Sequence, residues 1–163
     1  MCGAGVGAGV TALNRFLEAQ NRSDGAFTTY DAALAELRAG RKTSHWMWFV
    51  FPQLAGVAEW YGASSSATAR HFAIVARAEA EDFASHPILG QRLIAAFDAA
   101  MASGEADPVL LMGGIDAAKL KSSATLFAEC DLTRAAAANA LTTFFANETC
   151  AATIAILAGE RPL

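Results

Sequence analysis

Apolar side chains recur at the spacing of an α-helix along most of this 163-residue sequence. Leu13, Phe16 and Leu17 fall at positions i, i+3 and i+4, and the same pattern returns in the later segments. Gly40 and Pro87 stand where such segments stop and start. The order of segments shows neither an internal repeat nor the strand–helix alternation of a parallel sheet. The sequence therefore predicts an all-α fold, a compact single-domain orthogonal bundle of about seven or eight helices.

The folded domain is expected to span residues 11–160, since a chain of this length is usually one domain with its own core. Residues 1–10 alternate glycine with alanine or valine. Ordering so many glycines costs backbone entropy, so we expect a disordered leader there. A match to the dinucleotide motif G-x-G-x-x-A at Gly3, Gly5 and Ala8 follows no predicted strand and is set aside.

Composition limits the compartments and partners of this chain. Its formal net charge of −4 gives no general attraction to a nucleic acid polymer or an anionic membrane. No apolar run approaches the roughly 20 residues of a membrane-spanning helix, and the first ten residues lack the regions of a secretion signal. Three cysteines, an odd number without a C-x-x-C pair, indicate a reducing compartment. We expect a cytoplasmic protein that does not bind membranes.

The segment from Arg41 to Gln53 is the most chemically dense part of the chain. It holds two tryptophans, two phenylalanines, a histidine, a lysine and an arginine. We favour a short buried helix over a strand here, with Ser44 as its N-cap and Pro52 as the signal that ends it. The segment is expected to run through the middle of the domain with its aromatic side chains inward.

Trp46 and Trp48 have two interpretations that the sequence leaves open. Both could be large hydrophobic anchors of a small core. Alternatively, one indole could be a wall on which a flat ligand stacks. Arg41 and Lys42 would then supply positive charge for a phosphate or carboxylate of that ligand, and Gln53 would orient it.

His45 is the candidate catalytic residue. Neighbouring positive charge would keep its imidazole neutral near pH 7, so it could act as a general base, or it could be a core histidine bonded to a backbone carbonyl. No spacing of histidines, cysteines or acids resembles a metal site, and the serine-hydrolase motif G-x-S-x-G is absent. We expect neither a metal nor another cofactor.

A second polar cluster comprises Lys119, Ser122, Ser123 and Thr125, together with Lys121. Helical spacing places Ser123 on the inward face, where a hydroxyl is usually bonded to the carbonyl one turn back. Alternatively, a lysine and the hydroxyls of this cluster complete a pocket for the anion that Lys42 approaches. Converging lysines would repel each other unless an anion lies between them.

The central segment also carries a resemblance. The run RKTSHWMWFVFPQ, with HPILG at residues 86–90 and KLKSSATLF at residues 119–127, resembles the signature of the uncharacterised, largely bacterial DUF1810 family, which genome annotations often mislabel calpastatin. The resemblance covers nearly everything from Leu13 to Gly159. It implies a compact, mainly helical domain and carries no established activity. The departures are His71 and the loop at residues 62–66, outside both clusters.

Three function hypotheses follow, and the first is preferred. It is a pocket for a small anionic, ring-bearing ligand, nucleotide-like or similar, that joins the two clusters. The second is an enzyme that uses His45 as acid or base on a nucleotide-derived or glycosidic substrate. The third is a protein-interaction module without a small ligand, which two wholly buried indoles and no adjoining cavity would favour. The oligomeric state is left open by the sequence.

Overall fold

The computed structural model describes residues 6–23, 25 and 27–161 of the chain, with side chains from residue 12 onward. The described part is all-α, as the sequence predicts. Eleven helices follow one another in it: α1 Val6–Asn21, α2 Thr29–Arg38, α3 Met47–Val50, α4 Val57–Trp60, α5 Ala67–His71, α6 Arg77–Ser85, α7 Leu89–Ala102, α8 Pro108–Met112, α9 Gly114–Phe127, α10 Arg134–Phe145 and α11 Ala151–Leu157.

The number of helices exceeds the expected seven or eight because four of them are single turns. Helices α3, α4, α5 and α8 have only four or five residues each. Most of the remaining seven, which have seven to sixteen residues, show an apolar periodicity that is readable in the sequence. Short turns bury too few positions for a period of 3.6 to appear.

Helix α1 begins at Val6, five residues before the expected start of the folded domain. Residues 1–5 of the expected leader lie outside the described residues. The division between a leader at residues 1–10 and a domain at residues 11–160 therefore stays a prediction.

Two helices, α7 and α9, hold the bundle together. Helix α7 packs against α2, α3, α6 and α10, and α9 packs against α6, α8, α10 and α11. Helix α9 is buried on most of its surface. Its contacts on all sides, rather than an amphipathic stripe, stabilise it.

The central segment runs through the core, as expected. Trp46 and Phe51 are completely buried, and the ring of Phe51 lies 5.0 Å from that of Phe97 in α7. The predicted helix is present as α3, but it begins two residues late and Trp46, not Ser44, occupies the N-cap position. Ser44 instead donates its hydroxyl hydrogen bond to Glu36 in α2. The expectation that Ser44 caps this helix is wrong because the helix begins at Met47, so that Ser44 lies two residues before the N-cap position.

A buried glutamine fixes the central segment to the rest of the bundle. The side-chain amide of Gln20 donates a 2.8 Å hydrogen bond to the carbonyl of Phe49. Its own oxygen accepts a hydrogen bond from Arg92 of α7. An amide buried this completely must have partners, and these two join α1, the central segment and α7.

The loop that follows the central segment is closed at its base by a short parallel bridge. The backbone N–H of Ala55 donates to the carbonyl of Ile74, and the N–H of Ile74 donates to Gln53, each over 2.8 Å. Residues 53–73 therefore form a loop that leaves the core and returns to it at this bridge. None of the helices in the described residues combines the length and apolarity needed to cross a bilayer.

Candidate functional site

Trp48 separates two pockets on one face of the domain. The large pocket has a volume of about 890 Å³ and is lined by Trp48, the loop of residues 53–73, helix α9 and the start of α11. The small pocket, of about 330 Å³, is lined by Trp48, the segment from Lys42 onward and the α8–α9 corner. Trp48 and Lys119 belong to the lining of both.

The large pocket is mainly apolar and carries positive charge. Its walls include Phe72, Tyr61 and small side chains of alanine and glycine. Among the described residues that line it, Lys119 and Lys121 are charged and none is acidic. A volume near 890 Å³ with few polar groups is typical of a pocket for a small organic molecule.

Tyr61 and Cys150 meet at the edge of the large pocket. The tyrosine hydroxyl lies 3.8 Å from the cysteine sulfur. Desolvation and the contact with the thiol both raise the pKa of Tyr61, so the phenol stays protonated at neutral pH and remains a donor. The backbone N–H of Cys150 donates to Thr125, which fixes the start of α11 beside α9.

Lys42 and Lys119 converge in the small pocket, and the anion between them belongs to the chain. Lys42 Nζ lies 2.8 Å from one carboxylate oxygen of Asp116, and Lys119 Nζ lies 3.3 Å from the other. One residue of each cluster, Lys42 and Lys119, is thus brought to the same carboxylate. The carboxylate of Asp116 removes the repulsion that two bare ammonium groups would have.

Lys42 is fully engaged by its surroundings. Only 7% of its side chain is exposed, and Nζ also donates to the carbonyl of Ser44 over 2.5 Å. The ammonium lies 5.0 Å from the ring centroid of Trp46. Its own backbone N–H donates to the carbonyl of Leu111. Lys42 therefore holds the central segment against the α8–α9 corner.

Lys119 has more freedom than Lys42. Its side chain is 22% exposed, and its ammonium lies 4.7 Å from the ring centroid of Trp48. A cation over an indole face is attracted by the ring quadrupole. Lys119 and Trp48 thus form one wall, with an aromatic surface and a positive charge that both pockets share.

Trp46 differs from Trp48 because its indole is completely buried. Its ring N–H donates to Glu36 over 2.8 Å, so the indole offers no face to a ligand. Trp46 is therefore a core residue, and Trp48 is the indole of the two that can stack with a ligand. Burial alone would raise the pKa of Glu36, but hydrogen bonds from Ser44, Thr43 and Trp46 lower it to about 2.

The hydroxyls of the second cluster lie outside both pockets. Ser122 bonds to Thr153 over 3.0 Å, and Thr125 donates to the carbonyl of Lys121 over 2.7 Å. The Ser123 hydroxyl is buried and has no partner among the described protein groups, although the carbonyl one turn back was the expected acceptor. Ser122, Ser123 and Thr125 therefore pack α9 into the bundle and cannot contact a pocket ligand.

The other predicted site residues are divided between the pockets and the surface. Gln53 lines the large pocket and is partly exposed. His45 is exposed and lines the small pocket together with Asp116. Arg41 is exposed and belongs to the lining of neither pocket.

Asp116 is the site residue that sequence reasoning missed. It lies in the first turn of α9, whose N-cap position is occupied by Gly113. A signal was present, because Asp116 and Lys119 are three residues apart and share one face of a helix. Tyr61 and Phe72 were missed as well, and nothing in their local sequence marks them as pocket residues.

This all-α domain with two adjoining pockets belongs to a known family. The chain is a member of the family described as protein of unknown function (DUF1810), whose model matches residues 10–157. The crystal structure of the conserved hypothetical protein Rv1873 from Mycobacterium tuberculosis is similar, with 34% identity and a TM-score of 0.79. The match covers 90% of this chain and 96% of that one. No curated protein matches the chain.

Proposed function

We propose that the large pocket binds a small anionic molecule with a ring. The observation that carries the proposal is the shared wall of Trp48 and Lys119, which presents an indole and an ammonium group to one cavity of about 890 Å³. One condition would favour the third hypothesis, an interaction module: two wholly buried indoles with no adjoining cavity. Trp46 meets that condition and Trp48 does not.

The ring of the ligand would lie among aromatic and alanine side chains. Trp48, Phe72 and Tyr61 supply aromatic surface, and the alanines around them leave room for a flat body. Burial of an aromatic ring on such a surface is favourable, and offset or edge contacts with other rings add to it. The amide of Gln53 and the protonated hydroxyl of Tyr61 could orient polar atoms of the ligand.

The acidic group of the ligand would contact Lys119, and Lys121, which is paired with Glu148, lines the same pocket. These are the charged side chains of the described pocket lining, and an ammonium group bonds a carboxylate or phosphate as a point charge. Lys42, the cation that the sequence favours, is neutralised by Asp116 and lines the small pocket instead. In this proposal Lys119 therefore binds the ligand's negative charge, which is the role predicted for Lys42.

A thermal-shift screen tests the proposal. The purified protein is mixed with nucleotides, nicotinamide derivatives, sugar phosphates and aromatic carboxylates. A ligand at about 100 times its dissociation constant adds roughly 2.7 kcal/mol to the free energy of unfolding. We expect such a ligand to be ring-bearing and anionic, and its effect to be lost in Lys119→Met.

The matched control is Arg41→Met, which removes an exposed cation outside both pockets. Each variant is compared with its own ligand-free melting temperature, so that differences in intrinsic stability cancel. The proposal is wrong if no anionic ring compound stabilises the protein. It is equally wrong if Lys119→Met and Arg41→Met respond alike to a ligand that does.

The second candidate function is an enzyme that uses the small pocket. Its support is that exposed His45 lines a cavity of about 330 Å³, where an imidazole can reach a substrate as acid or base. Chromogenic glycosides and nucleotides are the substrates to assay. Turnover that falls in His45→Gln but not in His71→Gln, an exposed histidine outside both pockets, would support it. Equal rates would exclude it.

We keep a cytoplasmic, bacterial setting as part of the proposal. Cys130 and Cys150 are free and buried, as thiols of a reducing compartment are. Burial raises the pKa of Cys130 to about 11, so its thiol is unreactive at neutral pH. Cell fractionation of the native host, with antibody detection, would test the location.

A further inference from the structure

We infer that the large pocket selects a ligand with one negative charge, an aromatic monocarboxylate, over a doubly charged phosphate ester, and that Asp116 sets this preference. The inference rests on the proposed function and narrows its ligand class. Its basis is that carboxylates of the chain already neutralise part of the positive charge of the lysines around the pocket. It moves the expected ligand away from nucleotides.

The first part of the argument is the triad of Lys42, Asp116 and Lys119. Each carboxylate oxygen of Asp116 holds one lysine, at 2.8 Å and 3.3 Å. Two positive charges and one negative charge leave a single positive charge on the triad. A ligand with one carboxylate cancels that charge, whereas a second negative charge on the ligand would lose hydration without gaining a counter-ion.

The single positive charge is available at Lys119 rather than at Lys42. Lys42 is 7% exposed and is further held by the Ser44 carbonyl. Lys119 has the longer contact with Asp116 and lines the large pocket. The ammonium of Lys119 can therefore turn toward a ligand while Asp116 stays paired with Lys42.

The second part of the argument is the pair of Lys121 and Glu148. The ammonium lies 3.0 Å from the carboxylate, so the pair is neutral as a unit. Ser65, which lines the pocket, donates its N–H to Glu59 and accepts a hydrogen bond from Arg70 at its carbonyl, so these two residues bring opposite charges. Neither pair contributes net charge to the pocket.

Three probes that share one ring system test the inference: naphthoate, naphthyl phosphate and naphthol, all substituted at the same ring carbon. At pH 8 the phosphate ester carries two negative charges, because its second pKa is about 6. Isothermal titration calorimetry gives the Kd of each probe for the full chain. Naphthoate should bind about fivefold more tightly than naphthyl phosphate, because the second negative charge of the phosphate loses its hydration without gaining a counter-ion.

Two variants each raise the local charge by one. Asp116→Asn removes the anion between the two lysines. Glu148→Gln frees Lys121 from its ion pair. Because the Glu148 side chain is 76% exposed, this variant should fold normally, and it serves as the test if Asp116→Asn proves unstable. In both variants, the Kd of naphthyl phosphate divided by the Kd of naphthoate should fall by about fivefold or more. The affinity for naphthol should stay the same. Circular dichroism verifies that each variant is folded.

The outcomes separate this inference from the proposed function. If none of the probes binds, the anion pocket itself is wrong and the inference falls with it. If naphthoate and naphthyl phosphate bind equally well, or if neither variant changes their ratio, the pocket stands and the selection by charge is overturned. A preference for naphthoate that both variants weaken supports the inference.

Discussion

The ammonium of Lys42 lies 2.8 Å from a carboxylate oxygen of Asp116, so its charge is neutralised within the protein. The sequence suggested an external anion between Lys42 and the second lysine cluster. The chain supplies that anion from α9 itself. Lys42 is consequently a structural residue, and the wall of Lys119 and Trp48 is what remains for a ligand.

Replacing Lys42 should cost much more stability than replacing Lys119, although both contact the same carboxylate. Lys42→Met leaves the Asp116 carboxylate with only the longer ion pair and should lower the free energy of unfolding by about 2 kcal/mol. Lys119→Met removes a more exposed partner and should cost less than about 1 kcal/mol. Urea denaturation at pH 7 measures both. Equal costs would contradict the assignment of Lys42 as the structural lysine.

Glu36 should make the stability of the protein depend on acid pH. Hydrogen bonds lower its pKa to about 2 in the folded state, against an ordinary value of 4.5. The unfolded chain therefore binds the proton first, and the contribution of Glu36 is present above pH 4.5 and lost as pH falls toward 2. After discounting for partial exposure, we expect that contribution to be roughly 2 kcal/mol.

The variant that measures this effect is Glu36→Gln, which keeps the shape of the side chain and removes its charge. Its stability deficit relative to the parent, from urea denaturation, should narrow steadily between pH 5 and pH 2. A matched control is Glu81→Gln, since Glu81 is exposed on α6 and should leave the parent's pH profile unchanged. A deficit that does not vary with pH would rule out the lowered pKa.

The fold was predictable from the sequence because most of its helices bury one face. The apolar spacing of Leu13, Phe16 and Leu17 in α1 is set by burial in the core, and the sequence records it directly. Helix α9 was harder to interpret because it is buried nearly all round. Its polar residues Ser122 and Thr125 look like a functional face in the sequence and are in fact packed inside.

The site was predictable only in part because its decisive contacts are between distant segments. Trp46 and Trp48 are two residues apart in a single turn, and no local pattern tells which indole faces the core. Which indole is buried depends on distant residues. Glu36 in α2 accepts a hydrogen bond from the ring N–H of Trp46, and Lys119 in α9 lies over the ring of Trp48. Phe72 reaches the large pocket only because the bridge at Leu54 and Ile74 returns the chain to that point.

Gly90 should be irreplaceable for a packing reason. A β-carbon built at Gly90 in α7 would lie 2.1 Å from the carbonyl oxygen of Ala84 in α6. Backbone atoms cannot move aside cheaply, so Gly90→Ala should lower the free energy of unfolding by about 2–3 kcal/mol. Gly114→Ala in α9 is the control, because nothing lies within 4 Å of its β-carbon position. If thermal denaturation gives both variants the same stability, the close approach of α6 and α7 is wrong.

Ser123 and Thr125 should respond in opposite ways to losing their hydroxyls. The Ser123 hydroxyl is buried without a partner among the described protein groups, so Ser123→Ala removes an unpaired polar atom and should be neutral or slightly stabilising. Thr125 accepts the N–H of Cys150 over 2.9 Å at the start of α11. Thr125→Val keeps the volume but leaves that buried N–H unpaired, at a cost of about 1–3 kcal/mol.

The two variants lie two residues apart on one helix, so each serves as the control for the other. Urea denaturation gives their stabilities, and hydrogen exchange at the Cys150 amide gives the local effect. In Thr125→Val that amide should exchange faster while the amides of α7 change only with global stability. A destabilising Ser123→Ala with a harmless Thr125→Val would mean that the hydroxyl of Ser123, not that of Thr125, fixes α11 to α9.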